Sequence, residues 1–148
     1  MRMLPLIPAL RFGLCLAVGL TAAQSQAQSQ AQAPAQTQLS AEDFEAYATG
    51  KTLTYAIGGQ VYGTEQYLPG RRVLWAFSGD TCRKGRWYED AGKICFVYEH
   101  DSTPQCWTFQ QGDDGLRARF TQDPASAELS EVAQTPEPLI CSGPDVGV

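Results

Sequence analysis

Between Lys51 and Thr121 the chain is cut at short intervals by turn-forming residues: Gly58-Gly59, Pro69-Gly70, Gly79-Asp80, Asp90-Ala91-Gly92, Asp101–Pro104 and Gly112–Gly115. The segments left between these breaks are too short for stable helices and rich in β-branched and aromatic residues, as half-buried strands are. Lys51–Ile57, Gln60–Leu68, Arg71–Ser78, Lys84–Glu89, Lys93–Glu99, Gln105–Gln110 and Leu116–Thr121 are the predicted strands. Val73, Trp75 and Phe77 alternate along the third, which gives it one buried face. Ala127–Ala133 fits a strand or a short helix. Consecutive short strands joined by tight turns form an antiparallel meander, and a long meander curls to protect its edges. The expected fold is therefore mainly β, a small barrel or sandwich of about 7–8 strands.

One helix is expected ahead of the strands. Ser40 can cap it, Asp43 stands where a capping-box acid would, and Gly50 ends it. Phe44 and Tyr47 are spaced for one helical face. At the other end Pro136, Pro138 and Pro144 predict an extended segment around Cys141.

Met1–Ala23 reads as a secretory signal peptide: Arg2, then Arg11, the apolar run Phe12–Leu20, and the small residues Thr21-Ala22-Ala23. The run is shorter than the ~20 apolar residues that span a bilayer. Gln24–Leu39 is a leader dominated by Gln, Ala and Ser, with no apolar face to bury; it is expected to be disordered. Residues 40–148 then form a single β domain. Such a small domain buries only about two-thirds of its unfolded surface, so covalent staples matter. Of five cysteines, Cys15 leaves with the signal. Cys82, Cys95, Cys106 and Cys141 remain, an even number in an oxidising compartment, which implies two disulfides with three possible pairings. A zinc site is not expected, because there is no Cys-x-x-Cys pair and a single histidine.

Patterning does not choose the pairing. A four-residue turn at Asp101–Pro104 sets Tyr98 opposite Trp107 and Phe96 opposite Phe109. That register leaves Cys95 and Cys106 four residues apart, roughly 13 Å at ~3.4 Å per residue, whereas a disulfide needs Cα atoms within about 7 Å. Either the turn tightens to His100-Asp101, or a bulge absorbs the offset, or the cysteines have other partners.

Without Arg2 and Arg11 the chain has nine basic residues against sixteen acidic, a net charge of −7. So acidic a domain is ill-suited to nucleic acid, whose phosphates need Lys and Arg. Five basic residues gather in a central zone: Arg71, Arg72, Arg83, Lys84 and Arg86. Arg71, Arg72, Arg83 and Arg86, with Trp87, are the candidate ligand-binding residues, and solvated surface is their plainer role. No catalytic residue, cofactor or metal is expected. Glu99-His100-Asp101-Ser102 holds nucleophile, base and acid, but as sequence neighbours they read as a turn. Asp113-Asp114-Gly115 has too few carboxylates for calcium. Asp80, Glu89 and Asp90 could pair as acids only across a cleft. Trp75, Phe96, Trp107 and Phe109 are the expected core; exposed aromatics on a curled sheet would instead grip a sugar or an apolar ligand.

Gly85-Arg86-Trp87-Tyr88, Gly92–Phe96 and Cys106-Trp107 together resemble an uncharacterised family of small exported Gram-negative proteins with a Gly-x-Trp strand, an Ile-Cys strand and a second cysteine one hairpin later. The resemblance covers about Gly50–Phe120. It implies a β-meander and a Cys95–Cys106 bond, and no activity. The expected set is that bond with Cys82–Cys141, which would close a long loop and pin the proline-rich tail. The chain is thus expected to be a non-enzymatic periplasmic or secreted β domain that binds an envelope component or protein. The alternatives are an inhibitor similar to the small β-barrel lysozyme inhibitors and, less favoured, an envelope hydrolase.

Overall fold

The computed structural model describes residues 37–141; the expected signal peptide, most of the expected leader and Pro144 lie outside the described residues. One helix, α1 (Ala41–Ala48), precedes eight strands: β1 (Thr52–Ile57), β2 (Gln60–Leu68), β3 (Arg72–Phe77), β4 (Arg83–Asp90), β5 (Lys93–Tyr98), β6 (Asp101–Gly112), β7 (Gly115–Phe120) and β8 (Leu129–Thr135). Each strand pairs antiparallel with the next, and β8 returns to β1, so the meander closes into a barrel. Ala127–Ala133 thus contributes a strand rather than a helix, and without it the sheet could not close.

Local chemistry explains the turns. Gly58 and Gly59 both have positive φ, which suits the tight β1–β2 hairpin. The β4–β5 turn uses Ala91 and Gly92, both in the left-handed region, although alanine is strained there. At the helix start, Ser40 Oγ accepts from Asp43 N and donates to the Asp43 carboxylate. Gln38 and Leu39, assigned by sequence to the leader, are attached: Gln38 bridges to Gln110, and Leu39 N donates to Phe109 O.

The β5–β6 hairpin departs from the four-residue turn. The turn is Glu99-His100, and Asp101–Pro104 belongs to β6. Tyr98 faces Asp101, a bulge follows, and beyond it Phe96 faces Gln105, Cys95 faces Cys106 and Ile94 faces Trp107. The expected Tyr98–Trp107 and Phe96–Phe109 pairs are therefore replaced. Both adjustments occur together, a tighter turn and a bulge. The bulge contains Pro104, which has no N–H to give to the ladder. Cys95 and Cys106 are bonded with Cα atoms 4.0 Å apart, and Cys82 is bonded to Cys141. Two disulfides belong to an oxidising environment. No helix among the described residues is long and apolar enough to cross a membrane.

The interior has two ends. At one, α1 acts as a plug: Phe44 is fully buried against Tyr67, Trp87, Phe96 and Phe109. Tyr47 Oη donates to Glu131 Oε2, and that same oxygen accepts from Leu116 N, tying helix, β7 and β8 together. The other end is not plugged by the helix. After β8, Thr52 Oγ1 donates to Glu137 O, Leu139 N donates to Gln66 Oε1, and Cys141 is bonded to Cys82. The last described residues thus form a strap over β1 and β2.

Candidate functional site

The unplugged half of the barrel is lined by aromatic rings, and two glycines make room for them. A side chain at Gly63 would collide with the Trp75 ring, and one at Gly85 would lie 2.7 Å from Tyr98 Cδ1. Each ring therefore lies over a bare stretch of neighbouring backbone. A bulge in β2 adds a third ring. Tyr55 faces Gly63 and Ala56 faces Val61, which leaves Tyr62 as the extra residue. Tyr62 then packs with Trp75 and Phe77, their centroids 5.3–5.9 Å apart. Trp107 and Phe120 form another pair at 4.9 Å.

Below these rings lies a carboxylate. β2 alternates Gly63, Glu65 and Tyr67 toward the interior, and Glu65 is only 4% exposed. Tyr98 Oη donates to its Oε1 at 2.8 Å and Tyr67 Oη to its Oε2 at 2.9 Å. Tyr55 Oη lies 3.0 Å from Tyr67 Oη. Burial pushes the Glu65 pKa up to about 7, against the lowering effect of both phenol hydrogen bonds. Burial likewise holds the Tyr55, Tyr67 and Tyr98 phenols well above their ordinary range. A cavity of about 60 Å³, large enough for water, reaches this carboxylate. It shares Tyr62, Gln105, Trp107 and Leu129 with an outer cleft of about 300 Å³.

The candidates from sequence do not converge. Arg71 sits at the plugged end, donating to Glu45 with its guanidinium 4.5 Å from the Trp87 ring centroid. Trp87 is 3% exposed and packs on Phe44, so it belongs to the core rather than to a ligand-facing surface. Arg83 lines the cavity, pairs with Asp80 and lies over Phe77. Arg72 and Arg86 face each other on β3 and β4 and line an open groove with Lys84, Leu74 and Val97. Among the described residues these three cations form no ion pair.

The other motifs lie in turns or at the strand ends beside them. His100 is exposed, and the Asp101 carboxylate accepts from Thr103 N. Glu89 accepts from Gly92 N, Asp80 from Thr81 N, and Asp114 pairs with Arg117. No group of metal-ligating side chains occurs among the described residues. Sequence reasoning missed Glu65 and its tyrosines. The available signal was the period-two run Gly63–Glu65–Tyr67, which places an acid on an inward face. No family model matches the chain, and no curated protein or solved structure matches it.

Proposed function

We propose that this chain is an exported, non-enzymatic β-barrel of the periplasm or the extracellular space that binds a small, largely apolar ligand in its unplugged end. The supporting observation is the aromatic-lined cavity with one hydrogen-bonded carboxylate beneath it. Binding sites combine apolar walls with a few placed polar groups, and barrel mouths commonly hold them. The resemblance to small exported proteins agrees with an envelope role. Nile red, a neutral dye that brightens in apolar surroundings, tests the reading. The protein should enhance its emission, and Ala118→Leu, which fills the cavity wall, should reduce binding at least several-fold. Dye emission unchanged by wild-type protein, or equal binding by Ala118→Leu, would remove the proposal.

A second reading rests on Cys82, which anchors the β3–β4 connection to Cys141. A loop so braced suits an inhibitor that enters a partner's cleft. Lysis rates unchanged by added protein across a panel of lysozymes would exclude the lysozyme form of that reading.

A further inference from the structure

The protons of the buried network define what the cavity can accept. Each tyrosine has one O–H. With Glu65 ionised, the Tyr98 proton is committed to Oε1 and the Tyr67 proton to Oε2. Tyr67 then has only lone pairs to offer Tyr55, so Tyr55 donates in their 3.0 Å contact. All three phenol protons therefore run toward the carboxylate. What is left facing the cavity is acceptor capacity, on the carboxylate and on the Tyr98 oxygen.

A ligand that brought a carboxylate or phosphate here would meet lone pairs and a like charge. A ligand that brought N–H groups would find acceptors, and a cation would also neutralise a buried charge. The walls favour the same choice. Trp75, Phe96 and Tyr98 line this cavity with Glu65, and aromatic faces attract cations. The cation at the mouth, Arg83, is occupied by Asp80 at 3.3 Å.

Resting on the ligand-binding reading above, we infer that the ligand is an amine: an apolar or aromatic body whose ammonium group enters first and is received by Glu65 among the rings of Trp75, Phe96 and Tyr98.

The groups that face Glu65 are Tyr55 from β1, Tyr67 from β2 and Tyr98 from β5, with Arg83 of β4 along the same cavity. Glu131 of β8 interacts with Tyr55 and is the other acid inside the barrel. The phenols stay protonated through neutral pH, so Glu65 governs recognition near pH 7.

The test uses three phenyl compounds of similar size: phenethylamine, phenylethanol and phenylpropionate. Calorimetry and tryptophan fluorescence follow their binding to the full mature chain at pH 8. Phenethylamine should bind roughly tenfold or more tighter than phenylpropionate, as expected for a cation against aromatic faces and an opposite charge. Its affinity should fall as pH drops below 7, by up to about tenfold per unit. Glu65→Gln should abolish the preference for the amine over the alcohol. Should Glu65→Gln not fold, Tyr98→Phe serves. It removes one donor from the carboxylate, so the midpoint of the wild-type pH profile should move upward. Equal binding of amine and carboxylate, a flat pH profile, or selectivity unchanged in Glu65→Gln overturns the amine assignment. If phenylethanol and Nile red still bind in that case, the ligand-binding reading stands. If no compound binds, both fall.

Discussion

Glu65 is the most buried carboxylate among the described residues. Its pKa rises from the usual 4.5 to about 7, so the folded protein binds its proton more tightly than the unfolded chain does. The sign follows from linkage. The stability tied to Glu65 is full below pH 4.5, declines as pH rises, and is lost once pH passes about 7. Urea denaturation of wild type and Glu65→Gln across this range isolates the effect, because glutamine does not titrate. The wild type should lose up to roughly 3 kcal/mol relative to Glu65→Gln between pH 4 and pH 8. A difference independent of pH would mean that Glu65 titrates in the folded state as it does in water. An apolar side chain here would avoid that loss but leave the buried Tyr67 and Tyr98 hydroxyls without their acceptor.

At the scale of elements, α1 matters through one side chain more than through its length. Eight residues are too few to hold a helix in water without tertiary contacts. Ser40 caps it, and Tyr47 ties it to Glu131, where burial and the neighbouring carboxylate raise the phenol pKa to about 12. Phe44 supplies the packing, touching rings from β2, β4, β5 and β6. Phe44→Ala should therefore cost about 3–5 kcal/mol, read as a lower midpoint in thermal or denaturant unfolding. A loss below about 1 kcal/mol would show that the barrel holds without its plug. The helix was legible in the sequence because capping and periodicity are local. So were most strands, since Gly58-Gly59 and Pro69-Gly70 announce their turns. The β5–β6 register was not legible. Sliding two strands by an even number of residues keeps every side chain on its face, so Phe96 and Trp107 stay inside in either register. The bulge around Pro104 and the Cys95–Cys106 bond decided between them. The site was harder still to read, since Arg71, Arg72, Arg83, Arg86 and Trp87 are close in sequence but spread over both ends of the barrel and its outer wall. Glu65 meets Tyr98 only because the sheet curls.

For the whole molecule, the two disulfides act at different ranges. Cys95 and Cys106 are 11 residues apart and join adjacent strands; Cys82 and Cys141 are 59 apart and fasten the strap to the β3–β4 connection. On chain entropy alone, the longer loop contributes about 4 kcal/mol and the shorter about 3. Replacing Cys82 and Cys141 with serine should accordingly lower unfolding stability by about 4 kcal/mol and free the C-terminal segment to proteolysis. An unchanged denaturation midpoint would mean that the strap is held by its hydrogen bonds to Thr52 and Gln66 without the covalent tie. The closure of the sheet has a consequence for the order of folding as well. Seven of the eight strand pairings join neighbours in sequence, and each can zip from its own turn; the eighth joins the first strand to the last. That seam closes a loop nearly as long as the domain, so it carries the largest entropic cost and forms slowly. Until Leu129–Thr135 arrives, β1 keeps one side unpaired, and a nascent or truncated chain presents two open strand edges to its neighbours.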